Sequence, residues 1–195
     1  MPWLFLAYPL LAHLATLIQS ETLAWVALTV FFAVPLWPLL QRGKAGAWLG
    51  LLAITAALYA CAASGFARYL MYVPPILIPL SVLWVFARSL RPGQIPMVTR
   101  VATQIRGVLP AELQQYTRRV TQGWVLLLML MAGGSLLLAV FATPEFWSLM
   151  TNIVQYLLLG AVFLLEYLYR RWRFRHLPHE TFSTLVTALF KTRMH

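Results

Sequence analysis

Residues 123–142 read GWVLLLMLMAGGSLLLAVFA, and three residues later a second apolar run, 146–169, opens with FWSLMTNIV. The hydrocarbon core of a bilayer is about 30 Å thick and takes about 20 apolar residues per helix. Residues 123–142 carry no charged side chain, so they predict a membrane-spanning helix. The link Thr143-Pro144-Glu145 leaves room only for an antiparallel return, which makes 123–169 a helical hairpin.

Four further runs precede it. The first spans Pro2 to Gln19 and ends at Ser20-Glu21. The second spans Thr22 to Leu40 and ends at Gln41-Arg42-Gly43-Lys44. The third covers Ala45–Ala63, and the fourth runs from Tyr69 to Ala87, closed by Arg88. The first run begins at Pro2 without a basic n-region, so it is expected to be a retained span and not a signal peptide. Tyr72-Val73-Pro74-Pro75 must unwind, kink or delay the fourth helix, because consecutive prolines remove backbone donors. The expected fold class is therefore all-α: a polytopic transmembrane helical bundle of about six spans with cytoplasmic amphipathic helices. Four segments follow. Residues 1–87 form a four-span membrane half and 88–122 a basic cytoplasmic helical connection. Residues 123–169 form the two-span hairpin and 170–195 a basic cytoplasmic amphipathic tail.

Composition agrees. The 195 residues are 61% hydrophobic and 10% charged, with a mean hydropathy of +0.75. A soluble domain is about a quarter charged, so lipid must cover most of this surface. The single cysteine, Cys61, excludes an intramolecular disulfide.

The formal charge of +10 comes from fifteen bases, thirteen of them Arg, against five Glu and no Asp. Six spans place Arg42, Lys44, Arg88, Arg91, Arg100, Arg106, Arg118, Arg119, Arg170, Arg171, Arg173, Arg175, Lys191 and Arg193 on one side and only Arg68 on the other. Cytoplasmic loops concentrate Lys and Arg. Both termini and the 88–122 connection are accordingly expected in the cytoplasm, in a multi-pass bacterial inner (cytoplasmic) membrane protein. This topological pattern explains the charge without nucleic acid, which is not expected as a partner. Trp25 and Trp147 near outer span ends, and Trp37, Trp48, Trp84, Trp124 and Trp172 near inner ones, suit interfacial anchoring.

Within the connection, Val98, Val101 and Ile105 recur at helical spacing with Pro96 in the first turn and Gly107 as a stop. Pro110 starts a second helix, through Leu113, Tyr116 and Val120, that runs into the fifth span. In the tail, Phe182, Leu185, Val186, Leu189 and Phe190 form an apolar stripe suited to a membrane interface, with a partner's groove as the alternative.

Few residues offer chemistry. Glu166 lies within the sixth span, where an acid is costly; Arg170 stands four residues on, the favourable order for a helical ion pair. His13, in the first span, is expected to hydrogen-bond between helices, with a relay or ligand role as the alternative. Arg68 is expected to snorkel outward, with an anionic headgroup or substrate as its alternative ligand. Thr151, Asn152 and Gln155, with Gly133-Gly134, suggest close packing and hydrogen bonding between the fifth and sixth spans. Thr151 and Gln155, one turn apart, can face the same neighbour. His176-x-x-His179 is interrupted by Pro178 and has no Cys or Asp beside it, so no metal is expected. No nucleophile elbow, phosphate loop or dinucleotide fingerprint occurs. No catalytic residue and no cofactor are assigned.

The segments Ile95-Pro96-Met97-Val98-Thr99-Arg100, Leu109-Pro110, Tyr116-Thr117-Arg118-Arg119-Val120-Thr121 with Trp124, Glu145-Phe146-Trp147, Tyr156-Leu157-Leu158, Glu166-Tyr167 and Arg170-Arg171 carry a resemblance. Over roughly its last 100 residues the chain resembles a family of bacterial inner-membrane proteins. These are encoded in aryl polyene (xanthomonadin-type) and fatty-acid-synthase-like biosynthetic gene clusters. The family has no established activity to carry over. The resemblance implies a setting among acyl carrier proteins, ketosynthases, acyltransferases and an exporter. The favoured expectation is a non-enzymatic accessory or scaffold that organises acyl-chain enzymes or acyl carrier protein at the membrane. Arg100, Arg106, Arg118 and Arg119 would be its binding face, membrane lipids and acidic pathway proteins its partners. Self-association stays open. The rival expectations are a membrane-embedded acyl or glycosyl transferase using Glu166 or His13, and a small transporter or exporter subunit.

Overall fold

A computed structural model describes residues 3–174, with the side chains of 3–6 and of Arg106 outside the description. Every regular element among the described residues is helical. Five segments are long and apolar enough to cross a membrane: Glu21–Gln41, Ala45–Ala63, Ala67–Ser89, Ala111–Phe141 and Pro144–Arg173. The protein is thus an all-α helical-bundle membrane protein. The first expected span, α1 (Trp3–Leu17), has 15 residues. At 1.5 Å per residue it reaches about 22 Å, short of the full core thickness. The tail stripe and the His176/His179 pair lie outside the described residues.

The described residues pack as two units, 3–77 with Gly133–Leu157, and Ile78–Ala132 with 158–174.

In the first unit, α1 turns through Gln19 into α2 (Glu21–Gln41). The Ser20 hydroxyl accepts the Leu23 N–H and caps the new helix, meeting one of the donors that a helix start leaves open. Ala12, Ala15, Ala24 and Ala27 are all buried in this hairpin together with Tyr8 and Leu28. Small side chains let two backbones approach closely, which in lipid replaces the hydrophobic drive. α3 (Ala45–Ala63) is tied to α2 by the Trp25 indole N–H, which donates to the Thr55 carbonyl at 3.0 Å. The chain then forms the single turn α4 (Ala67–Leu70) and restarts as α5 (Val73–Ser89). Pro74 and Pro75 occupy the first turn of α5, where their missing N–H groups cost nothing.

The sixth expected span is not one continuous α-helix. It comprises α8 (Pro144–Leu149), a π-helical turn (Met150–Val154) and α9 (Gln155–Arg173). The Gln155 N–H bonds the Met150 carbonyl five residues back. The widened turn shifts the helical phase, so that Thr151 and Asn152, neighbours in sequence, are both buried.

In the second unit, α6 (Met97–Arg106) follows Pro96, which stands just ahead of the helix and not inside it, and stops at Gly107, φ 76°. Proline offers no capping side chain. The first two amides of α6 are met instead by hydroxyls from elsewhere: Met97 N–H by Ser89 at 2.9 Å and Val98 N–H by Thr121 at 3.3 Å. The buried face of α6 carries Thr99 as well as Val101, while Val98 and Ile105 are half-buried. α7 (Ala111–Phe141) is 31 residues long, about 46 Å, so its first turns extend beyond the apolar 123–142 stretch. Leu109, Leu113 and Phe174 form a small core there, flanked by Ala102 and Tyr116.

Candidate functional site

Two polar constellations stand out, one in each unit. In the first, His13 Nδ1 lies 3.2 Å from Ser148 Oγ, the interhelical hydrogen bond expected of it. Ser148 also accepts from Asn152 Nδ2 at 3.1 Å. Gln155 Nε2 donates to the Ser135 hydroxyl at 2.9 Å, and the Trp147 indole N–H donates to the Ser135 carbonyl at 3.1 Å. Ser135, Ser148, Thr151, Asn152 and Trp147 are all at most 2% exposed. π turns recur at functional sites, and this one lies within a buried polar network. Asn152 Oδ1 accepts no hydrogen bond among the described residues, so the network keeps one open acceptor.

Several expectations need correction here. A Cβ on Gly133 or Gly134 would meet nothing within 4 Å; the close polar approach falls on Ser135 beside them. Gln155 bonds the neighbouring helix through Ser135, whereas the buried Thr151 gives its hydroxyl proton to the Trp147 carbonyl of its own helix. Trp147 is not an exposed anchoring ring but a buried one, tilted against Tyr72 at 4.2 Å between ring centres. By contrast Trp48, Trp84 and Trp172 are more than half exposed, as anchors should be.

Arg68 has a partner that sequence distance hid. Its Nε sits 2.8 Å from Glu21 Oε1, and its backbone N–H donates to Glu21 Oε2 at 3.2 Å.

The second constellation lies around α6, the start of α7 and the end of α9. Glu166 Oε1 is 3.7 Å from Arg170 Nε, the helical pair read from the sequence, and also accepts the Tyr116 hydroxyl at 3.3 Å. Arg173 reaches Glu112 at 3.2 Å. Each of these acids is therefore engaged. Arg100, Arg118 and Arg119 are exposed and have no acidic partner among the described residues. Arg106 ends α6, its side chain lying outside the described residues. On the α7 wheel, Thr117, Thr121, Leu113 and Tyr116 point inward. Arg118 and Arg119 flank the opposite face, which two turns later presents the exposed Leu126, Met129 and Leu130. Arg118 and Arg119 thus stand where the exposed apolar surface of α7 begins.

Among the described residues, no three His, Cys, Asp or Glu side chains come together as a metal cluster would require. The chain was compared with protein-family models, curated proteins and solved structures, and none matches. The fold and its apolar helices define the class, a polytopic all-α membrane protein.

The Glu166 arrangement predicts a small mutational effect. Glu166→Gln keeps an acceptor for Tyr116 and loses a long, partly solvated ion pair, so it should cost on the order of 1 kcal/mol or less. Thermal unfolding in detergent measures this. A variant with normal yield that abolishes pathway output would instead make Glu166 a proton-transfer or catalytic group.

Proposed function

We propose that the protein is a non-enzymatic accessory of the bacterial inner membrane, with both termini cytoplasmic, that gathers acidic acyl-chain proteins at the membrane surface for envelope lipid or aryl polyene biosynthesis. The observation that carries this reading is the set of exposed, unpaired arginines Arg100, Arg118 and Arg119. In the same unit Arg170 and Arg173 are committed to glutamates. Arginine presents a rigid fork matched to carboxylate and phosphate, and a concentrated positive face steers acidic partners at long range. Acyl carrier protein is acidic, and the resemblance of the last 100 residues sets the chain among genes that use one. His13 and Glu166, which an acyl or glycosyl transferase would use, both have partners within the fold, which favours a structural role for them.

The test replaces Arg100, Arg118 and Arg119 together by Gln and leaves Arg88 and Arg91 to hold orientation. Exposed ion pairs contribute about 0.5 kcal/mol each, so losing three should lower capture of acyl carrier protein about tenfold. Capture by the unaltered chain should weaken as salt rises. A reporter inserted at Gly107–Val108 should read cytoplasmic in both proteins. A periplasmic reading overturns the orientation. Unchanged capture and unchanged pathway output would reduce the arginines to a topology signal.

A further inference from the structure

In the first unit, a cavity of about 200 Å³ opens where α1 ends, α4 turns and α8 begins. Its walls carry Gln19, Arg68, Tyr69, Tyr72, Glu145 and Trp147. These are the ends of apolar helices, the depth at which lipid headgroups lie. We propose that this cavity binds a zwitterionic phospho-ammonium group, the phosphoethanolamine headgroup of a membrane lipid, with phosphate at Arg68 and ammonium at Glu145.

The charge arrangement selects that chemistry. Glu21 holds Arg68 from two directions, through Nε and through the backbone N–H. This holds the guanidinium, and no acid other than Glu21 pairs with it among the described residues. It also lies 5.8 Å over the Tyr69 ring. A guanidinium held at the wall of a cavity has the forked donor geometry that suits phosphate. Glu145 lines the same cavity and makes no ion pair or hydrogen bond among the described residues. An anion alone would meet Arg68 but be repelled by Glu145, and a cation alone would meet the reverse. A group carrying both charges on a short linker satisfies the two together. A primary ammonium can donate to the Glu145 carboxylate and lie against tyrosine faces; a quaternary one has no N–H to donate.

Size and conformation agree. Pockets for drug-sized ligands start at about 300 Å³. This one suits a headgroup, with acyl chains left in the bilayer. Gln19 is the one non-glycine residue with a left-handed backbone among the described residues, φ 51°. This conformation ends α1 in the usual left-handed turn and sets an amide side chain into the wall.

The experiment uses the full chain in detergent and native mass spectrometry with dihexanoyl phosphatidylethanolamine and dihexanoyl phosphatidylglycerol, which differ only in headgroup. The unaltered chain should retain the ethanolamine lipid at least fivefold better. Glu145→Gln, which breaks no described hydrogen bond or ion pair, should erase that preference while its unfolding temperature stays in place. Arg68→Gln should weaken both lipids. Free phosphoethanolamine competing as well as the short-chain lipid assigns the cavity to a soluble phospho-ammonium compound; competing at least tenfold worse assigns it to the lipid. Equal retention of the two lipids by the unaltered chain overturns the proposal. So does a Glu145→Gln variant that keeps the preference.

Discussion

Replacing Trp147 by alanine is expected to be the most damaging single change in the unit formed by 3–77 and Gly133–Leu157, costing about 3 kcal/mol. Burying Trp147 leaves it 1% exposed, with its ring near Tyr72 and its indole N–H on the Ser135 carbonyl. Large-to-small changes in soluble cores cost about 3–5 kcal/mol for Trp. In a bilayer the transfer part shrinks, because lipid tails are as apolar as the protein interior. The cavity part remains, since the atoms lining the void lose their dispersion partners; hence the lower end of the range. Trp147→Phe separates the contributions. It keeps a ring against Tyr72 and gives up one hydrogen bond, worth about 1 kcal/mol net. Thermal unfolding in detergent, read by loss of the monodisperse species, should rank the alanine variant far below the phenylalanine one. An alanine variant as stable as the parent would mean that Trp147 is not the packing centre of this unit.

How much of this was legible beforehand depends on the range over which each feature is encoded. The spans were, because run length and charge-free stretches are local: Ala45–Ala63 and the extension of the fifth span back to Pro110 match the observed helices closely. The delayed fourth helix followed from Pro74-Pro75, the end of α6 from Gly107, and the Glu166–Arg170 pair from spacing of one turn. The π turn left no local mark, because nothing in Met150–Val154 forbids an ordinary α-helix. Arg68 and Glu21 stand 47 positions apart, so only folding reveals their pair. Trp147 has the residue type and position of an interfacial anchor. Its burial depends on a neighbouring carbonyl, at Ser135, that the sequence does not point to. Gly133-Gly134 drew attention as a close-approach site, yet the adjacent Ser135 makes the contact, since a hydroxyl can both pack and bond. The cavity draws on the ends of α1, α4 and α8 at once, and no single stretch of sequence announces it.

The second large effect concerns the threonines that dock α6 on α7, and its size depends on which partner is removed. Thr99 Oγ1 and Thr117 Oγ1 are 2.7 Å apart and both residues are buried. Thr117 also lies 3.0 Å from the carbonyls of Leu113 and Gln114. A hydroxyl has a single proton. If Thr117 gives its proton to its own helix, Thr99 must be the donor between the two helices. Thr117→Val then strands a buried donor at Thr99. Only two residues into its helix, Thr99 lacks a helical carbonyl four positions back to turn to. An unsatisfied buried group costs about 1–3 kcal/mol, so about 2 kcal/mol is expected. Thr99→Val leaves Thr117 still bonded to its own carbonyls and should cost about 1 kcal/mol or less. The double valine variant removes donor and acceptor together, and such paired replacement approaches neutrality. It should therefore be more stable than Thr117→Val alone, a non-additivity that a double-mutant cycle reads directly. Capture of the acidic partner should follow the same order, because α6 carries Arg100 and is positioned through this bond. Equal costs for the two single variants, or simple additivity in the double, would show that the proton runs the other way or that α6 is held mainly by Val101 and its apolar neighbours.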